Sequence, residues 1–300
     1  MQRMMERESP WGALAVADAH VHFFSHRFFA ALAAQKPGLD ILAEAPQLGM
    51  HLPPEDPEKL ATLWTHELDR HRVARSALIA SVPGDEESVL QAVHTHPERF
   101  FAYAMINPRE WKPSAIDVAC LFPAMHRYSI HDPLVQPVCE WAAHSRKAMF
   151  VHCGVLSVGI RGKLGLESRF DMRFSNPIDV HAIALQFPSV PMIVPHFGAG
   201  YFREALMLAD LCPNVYLDTS SSNGWMRYQE SHLDLRQVFR RALDVVGPRR
   251  LLFGSDSSLL PPGWKHQIFD DQATALYELG VSHDDARLIF GENLLRILAR

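Results

Sequence analysis

Short apolar runs, each followed by a loop and an amphipathic stretch, recur along the whole chain. The first run is Ala13–Phe23. The stretch Lys59–His71, with Leu60, Leu63, Trp64 and Leu68 on one helical face, precedes a second run at Ser76–Val82. A helix at Asp85–His94 leads to Phe100–Ile106, and one at Asp132–Lys147 leads to Ala148–His152. Asn176-Pro177 opens a further helix, because Asn accepts from free N–H groups and Pro suits the first turn. Then come Val190–Val194, the helix Phe202–Leu211, Val215–Thr219, the helix Leu235–Val246 and Arg250–Phe253, before two closing helices that end at Leu298.

This pattern gives seven strands, and an eighth at Asp117–Leu121. Strands that alternate with helices form a parallel sheet, and eight such units predict one α/β domain over residues 1–300, a (β/α)8 TIM barrel. The link from Ile106 to Asp117 is shorter than a usual parallel crossover, so the third helix is expected to be shortened to a turn or missing. A doubly wound sheet is the alternative, but its Gly-rich phosphate loop after the first strand is absent.

Composition narrows the partners. Hydrophobic residues make up 48% and charged residues 21%, with a net charge of −5 and no basic stripe, which argues against nucleic acid and membrane surfaces. The four cysteines are widely spaced, as suits free thiols in a reducing compartment, and Met1–Pro10 lacks a signal-peptide apolar core. The expectation is a cytoplasmic protein with a small-molecule substrate; a homodimer is left open.

The chemistry gathers at strand ends. His20 and His22 alternate on the first strand, so both imidazoles can aim at one point off its end. His152, His196 and Asp256 each stand where an apolar strand stops, and the C-terminal strand ends of a parallel barrel meet at one face. Asp256 adds an anionic oxygen that is both a metal ligand and a competent base.

Asp18-Ala-His-Val-His22, His152-Cys-Gly, Asn176-Pro, Pro-His196-Phe-Gly-Ala-Gly, Asn214-Val-Tyr-Leu-Asp-Thr-Ser and Leu-Leu-Phe-Gly-Ser-Asp256 together resemble the amidohydrolase-related, metal-dependent TIM-barrel family. That family includes aminocarboxymuconate-semialdehyde decarboxylase, resorcylate-type decarboxylases and lactonases. The resemblance implies one divalent ion, zinc or manganese, on His20, His22, His152 and Asp256, with His196 as catalytic acid/base or polariser. Members often carry Lys-x-His-Pro on the fourth strand, where this chain has Cys120-Leu-Phe122-Pro123. A lysine-bridged pair of ions is therefore not expected, a Cys120 thiolate is the remaining bridge, and Phe122 faces substrate in place of a histidine.

The implied activity is hydrolysis of a small organic acid, lactone, ester or amide through metal-activated water. The alternatives are non-oxidative decarboxylation at the same site and a retired barrel that only binds a metabolite. Arg161 and Arg169, with Arg109 and Arg173, are loop cations able to grip a substrate carboxylate. Asp218 either orients a histidine or caps a helix. The loops Ser25–Glu58 and Val155–Ser175 are long enough to be lids over the pocket.

Overall fold

The computed structural model describes residues 4–168, 170–220 and 224–299. Its eight barrel strands are β1 (Ala17–His22), β2 (Arg75–Ala80), β3 (Phe100–Ile106), β4 (Val118–Leu121), β5 (Ala148–Val151), β6 (Met192–Val194), β7 (Val215–Asp218) and β8 (Leu251–Leu252). Each pairs in parallel with its neighbour in chain order. The two edges approach each other just beyond β8. There Ala19 N donates to Phe253 O (2.8 Å), Asp256 N to His20 O (2.9 Å) and His22 N to Ser257 O (2.8 Å). The result is the (β/α)8 barrel that the strand count predicts, nearly closed.

The expected eighth strand is β4, and the described link between β3 and β4 holds no helix. Trp111 in that link packs edge-on against Trp141 of the helix Gln136–Ser145, ring centroids 5.3 Å apart. The first strand departs from its expected length. Residues Arg7–Ser9 and Gly12–Leu14 form an antiparallel hairpin, with Gly12 at φ +99, and the barrel strand begins only at Ala17.

Several helix starts follow their capping residues. Asp56 accepts from Glu58 N ahead of the helix Pro57–Arg70, and Asn176 accepts from Ile178 N. Asp234 and Gln237 form a reciprocal capping box at Leu235–Val246. Each such cap satisfies N–H groups that a helix start leaves unpaired and is worth about 1 kcal/mol.

Three apolar clusters divide the work. One lies between sheet and helices. A second fills the barrel with Ala77, Ile79, Tyr103 and Phe150, and Leu294 and Ile297 of the last helix, Asn293–Leu298, belong to it. The third joins Phe28, Phe29, Leu32 and Met50 of the first long loop to Ile160, Leu164 and Leu166 of the second. Lys36 Nζ donates to Leu164 O (3.1 Å) and Arg161 to Gln35 Oε1 (2.8 Å), so the two loops are also joined by polar contacts. No helix among the described residues is long and apolar enough to cross a membrane.

Candidate metal centre and active site

A bulge sets the first pair of histidines. Along β1, Ala17 and Ala19 belong to the interior cluster, so strict alternation would send Val21 inward and His20 outward, yet Val21 belongs to the outer cluster. Pairing with β2 instead slips between Asp18 and Val21, and His20 turns inward with its ring 5.5 Å from Phe150. Both imidazoles then meet Asp256. His20 Nε2 lies 3.4 Å from His22 Nε2, and these two nitrogens are 3.5 and 3.2 Å from Asp256 Oδ1.

Hydrogen bonds on the far side of each ring decide which nitrogen is free. His20 Nδ1 lies 2.5 Å from Asp218 Oδ2, a carboxylate oxygen that can only accept, so Nδ1 carries the proton. The hydroxyl of Ser81 donates to Ile79 O and so accepts from His22 Nδ1 (2.7 Å). Both Nε2 atoms are therefore left with lone pairs directed at Asp256 Oδ1. Three acceptors facing one another would repel unless a cation lies between them. A tetrahedral ion with bonds of about 2.0–2.1 Å separates its ligand atoms by about 3.4 Å, which matches this triangle.

His152 lines the same cavity but stands outside the triangle, which comprises only His20, His22 and Asp256 among the described residues. Its ring stacks on Phe122 (5.1 Å, 21°) and lies 5.6 Å from that of His196. His152 Nε2 is buried with no hydrogen-bond partner among the described residues. An imidazole nitrogen rarely stays buried and unpaired, and a ligand would satisfy it. The donor set thus fits a single ion held by three atoms, with His152 available as the fourth.

The turn after β6 presents His196. His196, Phe197 and Ala199 have φ of +55, +51 and +42, a conformation non-glycine residues adopt only where the surroundings enforce it. Gly154 is one such enforcement: a Cβ there would lie 2.1 Å from Gly198 O. His196 Nδ1 lies 3.1 Å from Ser220 O, a carbonyl that can only accept, so the proton sits on Nδ1 and Nε2 keeps its lone pair. Ser220 Oγ, 2.9 Å from the same Nδ1, donates to Asp218 Oδ1 (2.7 Å). Asp218 thereby orients His20 directly and His196 through Ser220. Gly254 makes room for it, since a Cβ there would lie 2.4 Å from Asp218 Oδ1.

Charge follows burial and pairing. Burial, then the neighbouring histidines, pushes His152 well below the ordinary imidazole value, and burial followed by His20 lowers His196. Burial also lowers His22, and the nearby Asp256 carboxylate only partly offsets this. In His20 the nearby Asp218 outweighs burial and raises the value. Burial alone would raise Asp256, but the neighbouring imidazoles of His22, His20 and His196 hold it far below the usual carboxylate range.

The other expected site residues divide. Phe122 lines the cavity as expected. Arg161 lines it too, yet its guanidinium is engaged by Gln35 Oε1 and Glu167 O. Arg169 lies outside the described residues. Arg173 is paired with Asp171, and Arg109 holds the carbonyls of His126 and Arg127. Cys120 is fully buried in the barrel-filling cluster, away from the cavity lining, and burial drives its thiol well above the ordinary value, so no thiolate bridge is set up. Sequence reasoning passed over Ser81, Ser220 and Lys265. A serine one or two residues past the end of a strand carries no signal of its own.

The cavity measures about 1270 Å³ and is walled by both long loops, with Phe24, Phe28, Leu156, Ile160 and Phe170 on its apolar side. As the loops' length predicts, they shape the pocket. If Asp218 holds His20 for an ion, Asp218→Asn should weaken zinc affinity about 10–100-fold with the fold intact. Chelator competition alongside circular dichroism measures this, and unchanged affinity would remove Asp218 from the centre.

A barrel with these donor groups at its C-terminal face defines a class. The chain belongs to the amidohydrolase family, which matches residues 17–300. It is 33% identical over 87 residues to Protein fluG of Emericella nidulans, a stretch covering 29% of this chain and 10% of that protein; the chain thus spans only a small part of that relative. The fold is similar to 5-carboxyvanillate decarboxylase from Sphingomonas paucimobilis (TM-score 0.60, 16% identity, 95% of this chain and 99% of that one). It is equally similar to a probable 2-pyrone-4,6-dicarboxylic acid hydrolase from Acinetobacter baumannii with citric acid bound (TM-score 0.59, 13% identity, 96% and 100%). One architecture therefore carries both decarboxylases and hydrolases.

Proposed function

We propose that this protein is a metal-dependent hydrolase of a small organic acid, lactone, ester or amide. The observation that carries the reading is the triangle of lone pairs on His20, His22 and Asp256, 3.2–3.5 Å on a side, with each imidazole's other nitrogen already protonated and fixed. His20, His22 and Asp256 would hold the ion and His152 would complete the set; mixed nitrogen and oxygen donors suit zinc or manganese. Such an ion, when bound, lowers the pKa of water and polarises a carbonyl.

The chain's own groups do the rest. Asp256, ionised throughout the neutral range, accepts a proton from the attacking water. His196 presents a neutral Nε2 to the cavity, takes that proton over from Asp256 and gives it to the leaving group. The apolar wall of Phe24, Phe28 and Phe122 excludes bulk water and orients the substrate.

Decarboxylation is the second reading, favoured by the aromatic rings around the centre, which suit a planar acid, and by the same ligands. Zinc- or manganese-loaded protein should be offered a panel of lactones, esters and aromatic and sugar acids. Ring or ester opening without CO2 is the expected result. Release of CO2 with no opening of any lactone or ester would reverse the order of the two readings.

A further inference from the structure

Four bases (Arg127, Arg161, Lys163 and Lys265) and two acids (Glu167 and Asp256) line the cavity, a positive balance within a chain of net charge −5. Lys265 is the base attached to the metal centre. It stands directly before the helix His266–Glu278, nine residues after Asp256, and its ammonium donates to the main-chain oxygen of Asp256 (2.5 Å). That one bond is the only partner its ammonium has among the described residues, and no carboxylate pairs with it. An ammonium has three donors, so two remain for the cavity.

The main chain at Lys265 is fixed. Its own N–H donates to Ser257 Oγ (2.9 Å), and the neighbouring Trp264, buried, donates through its indole to Asp18 Oδ2 (2.7 Å) and through its main chain to Glu67 Oε1 (3.0 Å). A buried tryptophan before it and a bonded main-chain N–H hold the attachment point of the lysine in place, which lowers the ordering cost of binding. Phe24 and Phe28, stacked 4.1 Å apart and within 2° of parallel, line the same cavity, and Phe24 lies 5.3 Å from His22.

Building on the functional reading above, we propose that Lys265 is the carboxylate anchor of this site and sets its substrate class: a planar organic acid whose anionic group lies next to the group that reacts. Lys265 grips the carboxylate while Phe24, Phe28 and Phe122 cover the planar body. The anchor touches the residue whose carboxylate belongs to the metal triangle, so the two ends of the substrate's reactive region are recognised within one residue of each other.

Benzoate and its neutral analogue benzamide test this by isothermal titration into the zinc-loaded chain, with zinc affinity measured by chelator competition on the same preparations. The wild-type chain should prefer benzoate. Lys265→Met should weaken benzoate about tenfold or more while leaving benzamide and zinc unchanged, and Lys265→Arg should restore most of the loss. The proposal is overturned if benzoate keeps its affinity in Lys265→Met, if benzamide falls equally, or if the wild-type chain does not distinguish the two. It is also overturned if zinc affinity falls in step, for then Lys265 only braces Asp256. A wild-type chain that binds no zinc would instead sink the functional reading, and the same benzoate comparison on the zinc-free chain would still decide the role of Lys265.

Discussion

Turnover reduced about a hundredfold or more, with the ion still bound, is the result expected for His196→Asn. His196 is not part of the donor triangle, and its Nδ1 is committed to Ser220. Asparagine has similar reach and keeps a polar group at the end of the strained turn, so collapse of the pocket is not expected. What it lacks is a nitrogen that takes and returns a proton. Because burial and His20 lower the His196 value, the acid limb of the wild-type pH–rate profile should fall below the ordinary imidazole value of about 6.5, and this limb should vanish in the variant. Bound metal and turnover are measured on one preparation. Metal lost in step with activity makes His196 a ligand; both retained makes it a packed residue of the turn.

Asp256→Asn should be more damaging, because one change removes two functions. The Oδ1 atom is the shared vertex of the contacts to His20 and His22, and a neutral amide there gives the ion less charge and two imidazoles less reason to converge. Zinc should be retained poorly at micromolar concentrations, and turnover should drop by at least roughly a hundredfold even at saturating metal. The barrel itself should persist, since its interior cluster does not include Asp256. Near-normal zinc affinity in this variant would place the ion elsewhere, and His152 with His196 would become the pair to test next.

The barrel was legible because each β/α unit repeats the same apolar and amphipathic periods, and even the missing third helix showed in the short link after Ile106. The strand-end histidines were legible for the same reason: topology alone brings parallel strand ends together. Alternation paired His20 with His22 as found, but it was silent on the bulge at Asp18–Val21 that turns His20 inward. It was also silent on the hydrogen bonds that choose a tautomer. Ser81 acts through its hydroxyl and Ser220 through its hydroxyl and its carbonyl, and nothing in their neighbours' periodicity marks them. Lys265 stands in Gly-Trp-Lys with no motif around it, and only the fold shows it in the cavity lining with its ammonium on Asp256 O. Arg161 is the reverse case, an attractive loop cation that the opposing loop has already engaged.

The apolar cluster made by the two long loops has a consequence for how such a protein changes over generations. Its members come from residues 28–50 and 160–166, and they bury one another. The polar ties Lys36–Leu164 and Arg161–Gln35 likewise run from loop to loop. The loops wall much of the cavity, while His20, His22, His196 and Asp256 stand at the strand ends. Under the proposed function, the fit to the body of a substrate is therefore inherited as a matched pair of segments: a loop replaced alone meets a partner shaped for its predecessor, whereas both replaced together can reshape the cavity around an unaltered centre.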